Sequence, residues 1–234
     1  MPGAVNLVLR DHAIISKLKS FLISRRTEAY LVGGYIRDAL RGAPFKDIDI
    51  AVSGDPIPIA NELAGELGGT CIILGHTHQI ARIIVPVGTR GWTIDLSTLH
   101  GSIQDDIASR DFTIDAMALP IGEWGNGGWE QRILDPFSGT EDLRKGIIRA
   151  VTPKVFQDDP LRLLRAVRLS ASLGFSIEPD TAGQISQRAH LVTTVAGERT
   201  RDEFLAILAL EGAKTHLEIA TPPPNLVNFF SGTR

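Results

Sequence analysis

The sequence predicts an α+β fold in which a mixed sheet of about five strands, with helices on one side, precedes an all-helical region. Short apolar runs bounded by turn residues recur in the first part of the chain, and such runs are typical of strands. They cover residues 70–74, 80–86 and 92–97. After Pro153 apolar residues recur at helical spacing instead. These helical segments cover residues 160–173, 180–189 and 200–210.

The change of pattern near Thr152 predicts three parts of the chain. Residues 1–152 would form a mixed α/β head, residues 153–220 a helical neck and residues 221–234 a C-terminal tail. The tail contains three consecutive prolines, at 222–224. The chain has 234 residues, of which 43% are hydrophobic, and can bury one large or two modest cores.

The first elements are an amphipathic helix and a strand–turn–helix unit. Apolar residues at helical spacing predict a helix over residues 11–27. A short apolar run then meets Gly33 and Gly34, and a helical pattern follows that Gly42 ends. Such glycines let a phosphate approach backbone N–H groups, and Arg37 could add a charged fork. An ordinary glycine-rich turn explains the same letters.

The next strand carries two carboxylates on one face. Alternate residues of a strand share a face, so Asp47 and Asp49 point one way while Ile48 and Ile50 point into a core. Adjacent carboxylates repel each other, and a hard cation such as Mg²⁺ relieves the repulsion and prefers oxygen ligands. Asp95 lies in a similar strand pattern. The three carboxylates could surround a pair of metals, although an isolated Asp-x-Asp is more often the polar face of an edge strand.

Charged residues that could bind a nucleotide follow in two further segments. Arg110 begins an apolar alternation and could contact a triphosphate, but a surface ion pair with Asp111 or Asp106 explains it equally well.

On the helix predicted from Pro160, polar residues three apart lie on one broad face. They are Asp159, Arg162, Arg165 and Arg168. An acceptor and a guanidinium at this spacing can present planar hydrogen bonds like the edge of a pairing base. A solvated arginine stripe with an aspartate at the helix N-terminus is the alternative.

Composition and charge favour a soluble protein and exclude several classes. The single cysteine, Cys71, excludes an internal disulfide framework. No apolar run reaches the roughly 18 residues that span a membrane, and the N-terminus lacks a signal-peptide pattern, so we expect a cytoplasmic protein without a membrane partner. The net charge of −3 predicts that any grip on RNA is local, because proteins that bind RNA along their length usually carry a basic excess.

Four blocks in the order and spacing found here resemble those of class II tRNA nucleotidyltransferases and bacterial poly(A) polymerases, in the polymerase-β-like nucleotidyltransferase superfamily. They are Leu31–Asp38, Asp47–Asp49, Arg110–Ala118 and Asp158–Arg168. The resemblance runs from about Tyr30 to about Leu208. It implies a polymerase-β-like catalytic head and a neck that recognises the nucleotide base.

The resemblance also implies the reaction and the site. The chain would add C and/or A nucleotides from CTP and ATP to the 3′ end of an RNA, expected to be tRNA, without a nucleic-acid template, and would release pyrophosphate. Asp47, Asp49 and Asp95 would be catalytic and hold two Mg²⁺ ions. The nucleotide would be bound by Gly33, Gly34, Arg37, Arg110, Asp115, Asp159, Arg162, Arg165 and Arg168.

Several departures from the family pattern qualify these expectations. Asp115 stands where many members carry Asn, and Asp158 where they carry Glu. Only Leu96–Ser109 separate Asp95 from Arg110, and a shortened loop here is associated with enzymes that add only CC. The chain also ends where family members continue. The alternatives are therefore a poly(A) or A-adding polymerase and a truncated non-catalytic RNA-binding or regulatory remnant.

Overall fold

The computed structural model describes residues 14–43, 47–74, 80–87 and 90–210. The predicted tail, residues 221–234, lies outside this part of the chain. Contacts between Cα atoms divide the chain into two compact units. The first comprises Met1–Ile107 and Met117–Asp135, and the second comprises Ala108–Ala116 and Pro136–Arg234. No helix within the described residues is long and apolar enough to cross a membrane.

The first unit contains a six-stranded mixed sheet. Its strands are β1 (Ala29–Val32), β2 (Asp47–Val52), β3 (Thr70–Leu74), β4 (Ile80–Val87), β5 (Arg90–Thr98) and β6 (Ala118–Pro120). They lie in the order β3-β4-β5-β2-β1-β6. The pairing of β2 with β5 is parallel, and the other pairings are antiparallel. The sheet has one strand more than predicted because β6, with three residues, is too short to show an alternation.

One face of this sheet packs against helices, as predicted. The helices are α1, described over residues 14–24, α2 (Gly34–Leu40) and α3 (Pro56–Leu67). Ile48 and Ile50 of β2 are buried in one apolar core together with Leu18 of α1 and Leu63 of α3. This core fixes the strands in register, so that Asp47 and Asp49, which alternate with the buried residues of β2, lie on the opposite face of the sheet.

The second unit is mainly helical. After α4 (Ile103–Ala108), which crosses the division, it contains α5 (Gly139–Lys145), α6 (Val155–Asp158), α7 (Arg162–Leu173), α8 (Pro179–Arg188) and α9 (Gly197–Leu208). A short parallel pair joins β7 (Ile147–Ile148) to β8 (Ser176–Ile177). The sequence does not predict β8, because two residues cannot show an alternation.

The division into units does not coincide with the predicted boundary near Thr152. Phe112 is fully buried, shares an apolar core with Phe156 and Leu164, and pairs with Ala150. Its ring centroid lies 6.4 Å from that of Phe156. The change from strand to helix patterns thus does not mark the point where the cores separate. As the limit of a functional domain, the boundary near Thr152 stays a prediction.

Candidate functional site

Two aspartates of β2 lie on the face of the sheet opposite the apolar core. Asp47 is exposed and Asp49 half-buried, whereas Ile48 and Ile50 are buried. The alternation predicted from the sequence is therefore present in the structure. Asp49 stands opposite Asp95 in the parallel pairing of β2 with β5. We call the surface formed by Asp47, Asp49 and Asp95 the acidic face.

An arginine outside the predicted site residues contacts this face. Arg82 of β4 stands opposite Asp95 of β5. Its Nε donates to Asp95 Oδ1 at 2.8 Å and its Nη2 to Oδ2 at 2.7 Å. The hydrogen bond to Asp95 raises the pKa of Arg82, burial opposes the rise, and attraction by Asp95, Asp47 and Asp49 adds to it. Arg82 is a single charged residue within the apolar run of β4, and this feature of the sequence could have indicated it.

The acidic face suits a divalent cation through its first two aspartates. Asp47 and Asp49 offer hard oxygen ligands on one face, and Mg²⁺ is commonly held by one or two carboxylates together with water and substrate phosphates. Within the described ranges, no three His, Cys, Asp or Glu side chains come together as a ready-made metal cage. The role of Asp95 as a third ligand stays a prediction. Both of its oxygens accept hydrogen bonds from Arg82, and each retains further lone-pair capacity.

The glycine turn before α2 has a specific backbone requirement. Gly33 has φ 69° and ψ −148°, a conformation that residues with a Cβ rarely adopt. A Cβ on Gly34 would lie 2.9 Å from Nη2 of Arg37. Arg37 is largely buried and forms two 2.9 Å hydrogen bonds with the carboxylate of Asp38. The turn therefore accommodates a guanidinium against its backbone, and the phosphate contacts of these residues stay predictions.

The second unit differs from the sequence prediction at the start of α7. The helix begins at Arg162 rather than Pro160, and Asp159 has an extended backbone with φ −145° and ψ 101°. The cause is Pro160, because a proline disfavours the helical conformation of the residue before it. Asp159 Oδ1 accepts a hydrogen bond from the backbone N–H of Leu161 at 3.1 Å. Asp159 thus precedes the helix and holds the backbone N–H of Leu161, the residue just before the helix.

A cavity of about 230 Å³ opens beside Asp159 in the second unit, and we call it the arginine pocket. It is lined by Asp111, Asp159, Leu161, Arg162, Arg165, Arg199 and Glu203. The structure therefore brings together three residues predicted to bind the nucleotide, which are Asp159, Arg162 and Arg165. Arg162 donates to the backbone oxygens of Ser109, at 3.1 Å, and Val155, at 3.4 Å.

The contribution of α9 to this pocket could not be predicted from the sequence pattern. Arg199 Nη2 donates to Asp159 Oδ2 at 2.8 Å. Glu203 lines the pocket and also accepts a hydrogen bond from Arg168 Nε at 2.6 Å. Arg168 is not part of the pocket lining and joins α7 to α9 through this ion pair. The amphipathic pattern of α9 predicts a helix, but nothing in it indicates which turn of α7 it packs against.

Arg165 links two carboxylates of the 108–116 segment. Its Nε lies 2.5 Å from Asp111 Oδ2, and its Nη2 lies 3.5 Å from Asp115 Oδ2. Burial lowers the pKa of Arg165, but attraction by Asp111, Asp115 and Glu203 outweighs it and raises that pKa. Asp115 is buried, so its predicted ribose contact stays a prediction, as does the triphosphate contact of half-buried Arg110.

Comparison with known families gives two matches. The family described as "Poly A polymerase head domain" matches residues 29–100 and 89–149. The family described as "Probable RNA and SrmB-binding site of polymerase A" matches residues 174–220. The head-domain match includes the acidic face, and the second match includes α8 and α9.

Similar proteins are tRNA nucleotidyltransferases. A CC-adding tRNA nucleotidyltransferase from Geobacter sulfurreducens is 40% identical over 79% of this chain and 41% of its own length. One from Halalkalibacterium halodurans is 36% identical over 87% of this chain and 49% of its own. A CCA-adding enzyme from Leuconostoc mesenteroides is 37% identical over 82% of this chain and 49% of its own length. The chain therefore spans less than half the length of these relatives.

Solved structures agree with the sequence comparison. The Thermotoga maritima CCA-adding enzyme complexed with tRNA is 29% identical, with a TM-score of 0.73 over 93% of this chain and 50% of that one. A CCA-adding enzyme in complex with CTP is 30% identical, with a TM-score of 0.73 over 93% of this chain and 49% of that one. These likenesses confirm the predicted polymerase-β-like fold.

Proposed function

This chain belongs to the family of the poly A polymerase head domain, and we propose that it is a tRNA nucleotidyltransferase that adds C nucleotides to an RNA 3′ end without a template. The observation that carries the proposal is the acidic face. Asp47, which is exposed, and Asp49, which is half-buried, lie on the face of the sheet opposite the apolar core. Carboxylates grouped on one face concentrate negative charge where a cation can bind.

The reaction follows from the chemistry of this face. The oxygen of the RNA 3′-hydroxyl bonds to the α-phosphorus of the nucleoside triphosphate, the α–β phosphate bond breaks, and pyrophosphate and the hydroxyl proton leave. Enzymes of this kind generally use divalent metals. We propose that Asp47 and Asp49 hold two Mg²⁺ ions, which would supply charge stabilisation to the attacking oxygen and the triphosphate. Asp95 would orient the attack.

The arginine pocket would recognise the base. Asp159 presents an acceptor and Arg162 a planar donor group within one cavity. Arg199 donates to one oxygen of Asp159 and the N–H of Leu161 to the other, and each oxygen retains lone-pair capacity for a base. Gly33, Gly34, Arg37 and Arg110 would bind the triphosphate, and Asp115, Arg165 and Arg168 would support the nucleotide, as the family resemblance implies.

Two observations favour addition of C over addition of A. Residues 96–109 consist mainly of the end of β5 and the helix α4, with a short connection between them. Relatives at 40% and 36% identity are named CC-adding enzymes and one at 37% is named a CCA-adding enzyme, so all three names include the addition of C. A further relative, at 34% identity, is named an A-adding enzyme, and the incorporation assay described below also tests for addition of A.

The wider assignments extend the same proposal. Residues 1–152 would be the catalytic head and residues 153–220 the neck that selects the base, with the tail at 221–234. The substrates would be CTP and a tRNA 3′ end, with ATP as the nucleotide substrate in the alternative that A is added, and the protein would act in the cytoplasm. A non-catalytic remnant is disfavoured, because Asp47, Asp49, Asp159 and Arg162 are all present.

Incubation of the 234-residue chain with single nucleoside triphosphates and Mg²⁺ tests the proposal. With tRNA that lacks its CCA end, we expect incorporation of C from CTP alone. With tRNA that ends in CC, incorporation of A would instead identify a CCA- or A-adding enzyme. Absence of any incorporation, together with absence of Mg²⁺-dependent CTP binding by calorimetry, would contradict the proposal.

Calorimetric titrations of the chain with CTP and with tRNA should give different affinities for the nucleotide and the primer. Recognition of the base needs only the arginine pocket, whereas binding of a tRNA backbone needs a long basic surface, which a net charge of −3 does not favour. We expect CTP binding in the micromolar to millimolar range, about that of enzyme substrates. We expect weak tRNA binding with a steep salt dependence, and tight salt-insensitive binding would reveal another RNA site.

A further inference from the structure

Three charged residues lie in register across three neighbouring strands of the sheet. Arg82 of β4 stands opposite Asp95 of β5, and Asp95 stands opposite Asp49 of β2. Neighbouring strands lie about 4.8 Å apart, so Asp95 occupies the middle of a row whose ends are about 10 Å apart. Arg82 therefore restrains the Asp95 carboxylate at a position directly beside Asp49.

The ion pair between Arg82 and Asp95 is forked. Two different nitrogens of the guanidinium each donate to a different oxygen of the carboxylate, at 2.8 and 2.7 Å. A forked pair restrains the plane of the carboxylate as well as its position. The Asp95 side chain is only 20% exposed, compared with 40% for Arg82. The more buried partner thus depends on the more exposed one for its orientation.

Arg82 also faces the charge of the whole acidic face. Besides Asp95, both Asp47 and Asp49 attract its guanidinium. Its register partner on the other side is Ile72 of β3, an exposed apolar residue. The carboxylates therefore lie on one side of Arg82 and an apolar neighbour on the other, an asymmetry that aims the guanidinium at the acidic face.

We propose that Arg82 is a positioning residue for nucleotidyl transfer, which fixes the carboxylate of Asp95 beside Asp49 and balances part of the negative charge of the acidic face until a divalent cation binds. The inference rests on the proposed function for its link to turnover. Its structural part, which concerns the balance of charge on the acidic face, can be tested without turnover. Lysine would preserve the charge at this position but not the fork, since an ammonium is a single point charge.

Steady-state kinetics of Arg82→Gln, Arg82→Lys, Asp95→Asn and the double variant Arg82→Gln/Asp95→Asn test the link to turnover. We expect Arg82→Gln to lower kcat about 10- to 100-fold, as loss of an orienting partner does, while the KM for CTP changes by less than about threefold. Arg82→Lys should recover part of the loss. In the Asp95→Asn background, loss of Arg82 should cost less than about threefold more.

The outcomes that overturn the proposal are distinct. If Arg82→Gln lowers kcat by the same factor with and without Asp95, Arg82 does not act through Asp95. If its main effect is a rise of about tenfold or more in the KM for CTP, Arg82 contacts the triphosphate instead. Arg132→Gln is the matched control, because Arg132 forms a 2.8 Å ion pair with Glu123 in the same unit, and it should leave both constants unchanged.

Thermal unfolding and Mn²⁺ binding give readouts that need no activity. Without divalent cations, Arg82→Gln should lower Tm by about 3 °C or more, and Mg²⁺ should raise the Tm of this variant more than that of the wild type. Electron paramagnetic resonance should show that Mn²⁺ binds the variant at least as tightly as the wild type.

A loss of Tm that Mg²⁺ does not reduce would make Arg82 merely structural, and Mn²⁺ binding weakened about tenfold would mean that Arg82 retains metal rather than positions Asp95. Either result overturns the proposal. If the wild type adds no nucleotide, the proposed function fails. The metal-dependent difference in Tm still decides whether Arg82 balances the charge of the acidic face.

Discussion

The acidic face and the arginine pocket hold their charges in opposite ways. On the acidic face, three aspartates share the attraction of Arg82, which hydrogen-bonds one of them. In the pocket, each aspartate has its own arginine, since Asp159 pairs with Arg199 and Asp111 with Arg165. An excess of negative charge suits a ligand that brings cations. A neutral set of internal pairs suits an uncharged base that exchanges hydrogen bonds with them.

The two regions also differ in how they are assembled. The three aspartates of the acidic face come from two paired strands, so the sheet alone sets their spacing. The pocket draws on the 108–116 segment, the residues before α7, α7 itself and α9, which are distant in sequence. Substitutions on the acidic face should therefore affect chemistry more than stability, and those at the pairs of the second unit should affect both.

The largest effect is expected from Asp49→Ala. If Asp49 holds a metal as proposed, its loss should reduce incorporation by at least about 10³-fold, while Tm changes little because Asp49 lies on the face of the sheet opposite the apolar core. Radiolabelled CTP incorporation and circular dichroism measure the two quantities. Asp202→Ala, at a residue 63% exposed on α9, is the control and should be neutral. Near-normal turnover of Asp49→Ala and Asp47→Ala would contradict the metal assignment.

Arg165→Met should show that the pairs of the second unit are structural. The substitution leaves two nearly buried carboxylates, Asp111 and Asp115, without this cation, and we expect the free energy of unfolding to fall by about 2 kcal/mol. Urea denaturation measures the change. Arg144→Met removes an arginine from the exposed ion pair with Glu141 and should cost under about 1 kcal/mol. An equal loss in the free energy of unfolding for Arg165→Met and Arg144→Met would show that the Arg165 pairs stabilise the fold no more than an exposed ion pair does.

Asp159→Ala should sharpen the assignment of the pocket. Discrimination of CTP from UTP and GTP should fall about tenfold, whereas triphosphate binding should change less, because polar groups that read a base reject mispaired edges. Single-nucleotide incorporation rates measure this. Asp159→Asn keeps an oxygen that can accept from Leu161 N–H, so it separates the loss of this hydrogen bond from the loss of base recognition. An equal loss with all nucleotides in Asp159→Ala would make this residue structural.

The smallest effect concerns Glu178, which precedes α8. Burial raises the pKa of Glu178, but hydrogen bonds from Thr181 and attraction by Arg149 outweigh it and lower that pKa below its usual value. A lowered folded-state pKa stabilises the fold above the unfolded value of about 4.3, and the contribution is lost as the pH falls through the folded-state pKa.

Glu178→Gln should therefore cost about 1 kcal/mol at pH 7 and progressively less below about pH 4.3. Urea denaturation at several pH values measures the difference from the wild type. Glu130→Gln, at an exposed residue of the first unit, should show no such trend. A cost for Glu178→Gln that is independent of pH would rule out a contribution from the charge.

Part of this protein could be read from local patterns. The alternation around Asp47 and Asp49 predicted which side chains share a face, because strand periodicity is a property of the backbone. The apolar stripe of α7 predicted a helix, and Leu164 and Val167 are indeed buried. The order of the sequence blocks indicated the family, and the family comparison confirms it.

Tertiary structure decided the partners of the charged residues and the limits of the cores. The pairing of Arg82 with Asp95 depends on the register of β4 against β5, and that of Arg199 with Asp159 on how α9 packs. Phe112 belongs to the core of Phe156, which a boundary near Thr152 does not predict. Sequence patterns determine the face a residue occupies because they follow the local backbone. The residue across from it depends on non-local packing.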